Sequence, residues 1–227
     1  IWGVAPFVAA QEKKIDTVFI SDKKLNESVH FQKVINLSDN IHKNTSNLSE
    51  TLRFSTPLYI KENGRGMVSS PSFRGTTAQQ TAFIWNGINI LGQGDINNIG
   101  LLNFDKISVK AGGGSISYGT GAIGGTIHLD NKIQFGKGFN GNLFSEFGSF
   151  NTLNSALKIA YSNDKFSVKL NTALAKSENN YEVPKEKYIN RNGAYYQYNY
   201  SISAAYRFND HQKIAMFSLW NTGLQHY

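Results

Sequence analysis

The sequence contains no cysteine among its 227 residues. This absence excludes a disulfide framework and any metal site built on thiolates. The five histidines do not follow the spacing of metal ligands, so we interpret them as surface or strand residues and expect no bound metal and no cofactor. They are His30, His42, His128, His211 and His226.

Long hydrophobic runs and blocks of one charge are also missing. A transmembrane helix needs roughly 18 or more consecutive apolar residues, and the sequence offers no such stretch. The net charge is +7 and the pI is near 9.4, but the lysines are spread along the chain. We therefore interpret them as solvated residues on turns and polar faces, and predict no nucleic-acid partner. The absence of long apolar runs does not exclude a β-barrel, because each spanning strand needs only about 9–11 alternating residues.

The start of the chain is typical of an exported protein. Residues 1–10, IWGVAPFVAA, are apolar, end in small residues and precede a polar segment. They indicate the tail of a secretory signal peptide with cleavage near Ala10; the alternative is a buried first strand. Because the first residue is not Met, we expect the sequence to begin inside a longer chain. Export without cysteine suggests a bacterial envelope protein.

Residues 15–20, IDTVFI, form a short apolar segment between polar flanks. Taken alone, this pattern predicts a strand. At a mature N-terminus it equally suits an extended peptide that is offered to the sheet edge of a partner, where main-chain hydrogen bonds give affinity. The segment itself does not decide between the two interpretations.

The stretch from Gly112 to Asp130 is unusually rich in glycine, with seven glycines in its first sixteen residues. Such density predicts tight turns, followed by a short strand at residues 126–129. Gly119, Gly121 and Gly124 also spell the G-x-G-x-x-G fingerprint of dinucleotide sites. That fingerprint requires a helix to follow it, whereas β-branched residues follow here, so we disfavour a nucleotide site.

The other elements of the first half predict a small α+β unit of about 110 residues. Residues 47–54 suit a short helix capped by Asn47, with Glu50 in a capping-box position. Asn86 and Gly87 separate two apolar runs, which is the strongest short signal for a hairpin with a type I′ turn. Further strands are predicted at residues 58–60, 81–85, 88–90 and 104–110.

From Asn131 onward the pattern becomes a strict alternation of apolar and polar residues. It predicts five strands, at residues 139–147, 153–161, 166–174, 196–208 and 213–220. The connections are short, very short, long and very short in turn. This rhythm favours the strands of an outer-membrane barrel over the alternative of a soluble antiparallel sandwich.

Four stretches together resemble the N-terminal part of a TonB-dependent outer-membrane receptor. Residues 15–20 resemble the TonB box, and residues 72–75, SFRG, with the hairpin around Gly87 resemble the Arg-Gly and Asp-Gly signature of the plug. Residues 104–113 resemble the strand that usually ends in Arg-Gly-Pro. Residues 118–127, YGTGAIGGTI, match the pattern Tyr-Gly-x-x-Ala-x-Gly-Gly-x-Ile. Two departures are Asn86 in place of Asp and Lys110-Ala111-Gly112 in place of Arg-Gly-Pro.

The resemblance implies an α+β plug domain followed by antiparallel transmembrane β-barrel strands, as the first part of a roughly 22-stranded barrel. The expected division is a signal-peptide remnant at residues 1–10, the TonB box and linker at 11–24, the plug at 25–132 and barrel strands at 133–227. Since five strands cannot close a barrel, we expect more strands after Tyr227. The plug resembles most the cobalamin-receptor branch.

The resemblance also implies a function, which is the import of cobalamin or a ferric siderophore across the outer membrane of a Gram-negative bacterium, driven by TonB. No bond is made or broken, so no enzyme is expected. The alternative is an exported adhesion or binding domain without transport activity. The resemblance assigns TonB binding to Ile15, Asp16, Thr17, Val18, Phe19 and Ile20.

The remaining implied sites belong to the plug. Arg74 would pair with a carboxylate of the barrel, and five glycines would form its turns: Gly75, Gly87, Gly119, Gly124 and Gly125. Two loops would face the ligand; simple solvated turns are the alternative at these positions. The predicted ligand-facing residues are Arg65, Met67, Ser69, Ser70, Leu91, Gln93, Asp95 and Asn97.

Overall fold

A computed structural model describes residues 32–36, 47–62, 68–90, 96–97, 99–112, 118–183 and 188–225. The predicted signal peptide and TonB box lie outside these residues. So do Arg65, Met67, Leu91, Gln93 and Asp95 from the predicted ligand-facing loops. Within the described part of the chain, no helix is long and apolar enough to cross a membrane.

The first half of the chain folds around a five-stranded mixed sheet in the order β1-β6-β7-β4-β5. Its pairs are antiparallel except for β4 and β7, which run parallel. A second, two-stranded sheet pairs β2 with β3. The strands are β1 (Gln32–Asn36), β2 (Tyr59–Glu62), β3 (Ser69–Ser72), β4 (Thr81–Trp85), β5 (Ile88–Asn89), β6 (Lys106–Ala111) and β7 (Gly125–Asp130).

One helix, α1 (Leu48–Ser55), closes the core of this half. The Asn47 side chain accepts a hydrogen bond from the backbone N–H of Glu50 at 2.8 Å, which confirms the predicted cap. Leu48 and Leu52 lie on one face of α1 and are fully buried. They pack into a core whose other large members are listed here: Phe104, Ile107, Val109, Ile127 and Leu129.

The predicted hairpin is present between β4 and β5. Asn86 and Gly87 have φ values of 47° and 88°, as a type I′ turn requires, and Trp85 pairs with Ile88 across the turn. The prediction of a strand after the glycine-rich stretch is also confirmed, because β7 begins at Gly125. No helix begins there, so the G-x-G-x-x-G residues are not part of the βαβ unit that a dinucleotide site requires.

The second half of the chain is an antiparallel meander in the order β14-β13-β10-β9-β8. Its strands are β8 (Gly138–Gly148), β9 (Thr152–Ser162), β10 (Phe166–Ser177), β13 (Tyr195–Arg207) and β14 (Lys213–Gln225). The five predicted strands are confirmed. The long connection between β10 and β13 holds a small hairpin that the sequence did not predict, β11 (Glu182–Val183) with β12 (Tyr188–Ile189).

This second sheet carries its polar residues inward and its apolar residues outward. On β13, Ser201 is 4% exposed, whereas the neighbouring Ile202 is 44% exposed. Leu143, near the middle of β8, is 75% exposed. The alternative of a soluble sandwich requires the opposite arrangement, with the apolar face buried against a second sheet. The plug half covers the polar face instead, as the contact of Asn103 with Asn221 of β14 shows (3.4 Å).

Candidate functional site: the interface of plug and barrel strands

Asp105, immediately before β6, joins the two halves of the chain. Its carboxylate accepts hydrogen bonds from the ammonium groups of Lys158 on β9, at 2.7 Å, and Lys169 on β10. It also accepts the backbone N–H of Lys132, just after β7, at 2.8 Å. We call Asp105, Lys158 and Lys169 the ion-pair cluster. It fixes β6 of the plug to two neighbouring strands of the second sheet.

The ion-pair cluster is shielded from water, with side-chain exposures of 15% for Asp105, 26% for Lys158 and 10% for Lys169. Burial alone would raise the pKa of Asp105, but the positive charges of Lys158 and Lys169 outweigh it and lower that pKa below its usual value. The interpretation of the lysines as solvated residues is therefore wrong for Lys169, whose amine is buried against the plug.

A cavity of about 590 Å³ lies directly beside the ion-pair cluster. It opens between the segment after β7 and the polar face of the strands. Its lining includes four lysines, Lys132, Lys137, Lys158 and Lys169, against one acidic residue, Asp105. Seryl and asparaginyl side chains supply much of the remaining wall, so the cavity is polar and positively charged.

The segment between the two halves is fixed at both ends. Asn131 accepts hydrogen bonds from the Trp85 indole at 2.9 Å and the Asn86 amide at 3.1 Å, both in the plug. The Gly136 N–H donates to the carbonyl of Asn163 at 2.9 Å, in the turn between β9 and β10. The guanidinium of Arg207 lies 4.1 Å from the centre of the Phe135 ring, which is a cation–π contact.

A second contact between the halves depends on a glycine. A Cβ atom on Gly100 would lie 2.8 Å from the Cβ atom of Asn199 on β13, closer than real Cβ atoms approach. Only glycine therefore lets the plug backbone lie this close to the strand.

The structure places the described members of the predicted ligand-facing set inside the plug. Ser69 is fully buried and Asn97 is 2% exposed, while Ser70 is half-buried. Asn97 accepts a hydrogen bond from the Ser49 hydroxyl and donates to the Glu62 carboxylate at 3.3 Å. These contacts link α1 to β2 through Asn97. The role of these three residues in ligand binding stays a prediction.

Arg74 lies in the tight turn after β3, with a φ of 47°, and its side chain is exposed. Among the described residues it forms no ion pair, so its pairing with a barrel carboxylate stays a prediction. Among the predicted turn glycines, Gly75, Gly87 and Gly119 have positive φ values of 83°, 88° and 78°. The prediction of a turn at Gly125 is wrong, because this residue begins β7, where it permits a close approach of the backbone instead. A Cβ on Gly125 would lie 2.6 Å from the Lys110 carbonyl oxygen and 2.7 Å from the Phe73 ring.

His128, in the middle of β7, is 7% exposed and contacts the Thr126 hydroxyl at 2.9 Å and the Tyr118 ring edge-on. Burial, with the nearby charges of Lys110 and Lys106, lowers its pKa to about 4. The imidazole is therefore neutral at pH 7. Across the described residues, no group of three or more His, Cys, Asp or Glu side chains is placed to hold a metal ion.

Comparison with known proteins agrees with this architecture. The family described as "TonB-dependent Receptor Plug Domain" matches residues 25–126. The chain contains a TonB-dependent receptor plug. Transferrin-binding protein A of Haemophilus influenzae is 25% identical over 146 residues, 55% of this chain. Vitamin B12 transporter BtuB of Vibrio cholerae is 30% identical over 129 residues, also 55% of this chain.

Two solved structures share the fold of this chain. The copper transporter OprC has a TM-score of 0.72 at 20% identity and covers 86% of this chain. The FrpB iron transporter of Neisseria meningitidis has a TM-score of 0.68 at 16% identity and covers 84% of it. The chain spans 16–21% of the length of the two curated relatives and about a third of these structures (31% and 32%). These similar proteins are receptors and transporters.

The sequence identified the plug and the strands, but not the ion-pair cluster. Asp105 is separated from its two lysines by 53 and 64 residues, so no local pattern connects them. One signal was available. Lys158 and Lys169 alternate with apolar residues on predicted strands, so they had to share the polar face that a plug would cover.

Proposed function

We propose that the protein is an outer-membrane receptor that imports a scarce nutrient with energy delivered by TonB. One observation supports this above all: a plug domain lies against the polar face of a sheet whose other face is apolar and exposed. An apolar outer face suits lipid, and a filled polar face suits the lumen of a wide barrel. The membrane is the outer membrane of a Gram-negative bacterium.

Energy would enter through residues 15–20, the predicted TonB box. TonB would capture this extended segment by adding it as a strand to its own sheet, so that main-chain hydrogen bonds carry the pull. The plug would then shift against the wall and open a path. Because import changes no covalent bond, the protein itself needs no catalytic group.

We propose cobalamin or a ferric siderophore as the ligand. Similar proteins support this proposal, because they include a vitamin B12 transporter and receptors for ferric catecholate and pyoverdine. Binding would take place on the outer surface of the plug and on barrel loops.

A deletion tests the energy coupling. Removing residues 16–19 from the protein expressed from its complete gene should abolish energised uptake of radiolabelled cyanocobalamin and of ferric siderophores, while binding to the cell surface persists. Removing residues 21–24 shortens the chain equally and should leave most uptake intact. Uptake that survives the first deletion would show that residues 15–20 are not the TonB box.

A further inference from the structure

The lysines of the ion-pair cluster project from the wall, and the plug supplies their counter-charge. Lys158 and Lys169 lie on neighbouring strands, where Lys169 pairs with Ala160, two residues from Lys158. Both ammonium groups contact the same carboxylate, one on each oxygen of Asp105. Two amines that converge on the two oxygens of one carboxylate form the geometry of an oxyanion site.

This pair of lysines is built into the interface rather than solvated. The Lys169 residue is 8% exposed, and its ammonium also donates to the Lys132 carbonyl at 3.3 Å. Without an anion between them, the two positive charges held at this position repel each other. When Asp105 leaves, another anion in its place therefore removes this repulsion.

The adjoining cavity gives such an anion room and adds attraction. Its volume of about 590 Å³ exceeds what one carboxylate group fills. Lys132 and Lys137 contribute two more positive charges to the lining, and hydroxyl groups of Ser162, Ser167 and Ser203 supply further hydrogen-bond donors. The cavity begins where the carboxylate of Asp105 ends, so an incoming anion can approach the lysines from that side.

We propose that Lys158 and Lys169 form an oxyanion-binding site on the barrel wall, which Asp105 occupies at rest and a carboxylate or phosphate group occupies when the plug moves away. This inference rests on the proposed function in one respect only, the movement of the plug. Asp105 acts as an internal substitute for the anion. An anionic ligand would bind at this site on the wall during its passage.

The site can be tested without measuring transport, by removing the Asp105 carboxylate and adding a free carboxylate, acetate. The protein is expressed from its complete gene and purified in detergent, and its thermal midpoint is measured against sodium acetate at constant ionic strength. In Asp105→Ala, acetate should raise the midpoint saturably by a few degrees, because an anion that binds only the folded state stabilises it. The wild type should not respond, since Asp105 keeps free ions out.

Two further variants separate the site from general salt effects. Asp105→Ala combined with Lys158→Gln and Lys169→Gln should lose the response to acetate. Asp130→Ala, which removes a plug carboxylate outside the ion-pair cluster, should behave like the wild type. If Asp105→Ala does not yield folded protein, Asp105→Asn keeps the side-chain shape and the Lys132 contact, and phosphate then serves as the probe, with the same pattern expected.

The proposal is overturned if neither Asp105 variant responds saturably, or if the response persists without the two lysines. An equal response of the wild type also overturns it, because Asp105 would then not be the occupant. None of these outcomes bears on the TonB-box deletion. The result of the deletion does not bear on anion binding either, so each proposal can fail without the other. A response confined to the Asp105 variants shows that the lysine pair binds an anion only where the Asp105 carboxylate is absent.

Discussion

Gly125 shows how one residue position can depend on the absence of a side chain. Its backbone passes between the Lys110 carbonyl and the Phe73 ring, with room for a hydrogen but not for a methyl group. Both neighbours belong to the packed interior of the plug, so neither can move freely.

Replacing Gly125 with alanine should therefore destabilise the plug by about 1–3 kcal/mol, the usual cost of overpacking. Resistance of the plug to trypsin and the thermal midpoint measure this loss. Gly141→Ala is the matched control, because its new Cβ would meet the Phe139 ring at 3.6 Å, an ordinary contact. Equal stability of the two variants would contradict the close approach.

His128 makes the stability of the plug depend on pH. The unfolded chain takes up the proton near pH 6.5, whereas the folded protein does so only near pH 4. The folded state is therefore fully favoured above pH 6.5 and loses stability as the pH falls from 6.5 to 4. With about 1.4 kcal/mol for each pKa unit, the loss is at most about 3 kcal/mol.

His128→Gln should remove this contribution, since glutamine keeps a hydrogen-bonding group near Thr126 but does not titrate. Above pH 6.5, the thermal midpoints of the wild type and the variant should change with pH in the same way. Below pH 6.5, the midpoint of the wild type should fall more steeply than that of the variant. Parallel curves between pH 4 and 6.5 would show that His128 titrates normally in the folded protein.

Single residues also show where sequence reasoning succeeds. The turn at Asn86 and Gly87 was predictable, because its backbone conformation depends on those two residues alone. The burial of Ser69 and Asn97 was not. Both are small polar residues in predicted loops, and their burial depends on tertiary contacts, such as those of Asn97 with Ser49 of α1 and with Glu62 of β2.

At the scale of elements, α1 combines local and distant stabilisation. Asn47 caps its first turn, while Leu48 and Leu52 bury its inner face. Asn47→Ala should cost about 1 kcal/mol in the free energy of unfolding, and Asn47→Asp should cost much less because it keeps the capping oxygen. Denaturant unfolding followed by circular dichroism or tryptophan fluorescence compares the two. Similar losses for both variants would contradict a capping role.

Strands differ in how far their sequence determines them. β8, β9, β10 and β13 carry an alternation long enough to predict them almost to their ends. β1 was not predicted, because its five residues form a strand only through pairing with β6. The parallel pairing of β4 with β7 likewise depends on contacts between segments about 40 residues apart, which no local pattern encodes.

For the whole molecule, the decisive property is the outward apolar face. Leu143→Lys places a charge in the middle of that face and should destabilise the protein in the membrane by roughly 2–4 kcal/mol. Asn142→Lys places the same charge on the opposite face, beside the cavity, and should cost less. The fraction of heat-modifiable, protease-resistant protein in outer-membrane preparations measures both. Equal loss in the two variants would contradict a lipid-facing side.

The narrow fit at Gly100 has a consequence for how such receptors diversify. The plug backbone at Gly100 is complementary in shape to the Asn199 side chain, and Asp105 is opposite in charge to the two lysines that contact it. A plug from another protein would therefore not fit against these strands. A chimera that receives a foreign plug would inherit steric and electrostatic mismatches at both places, so recombination is expected to preserve plug and first strands as one heritable block.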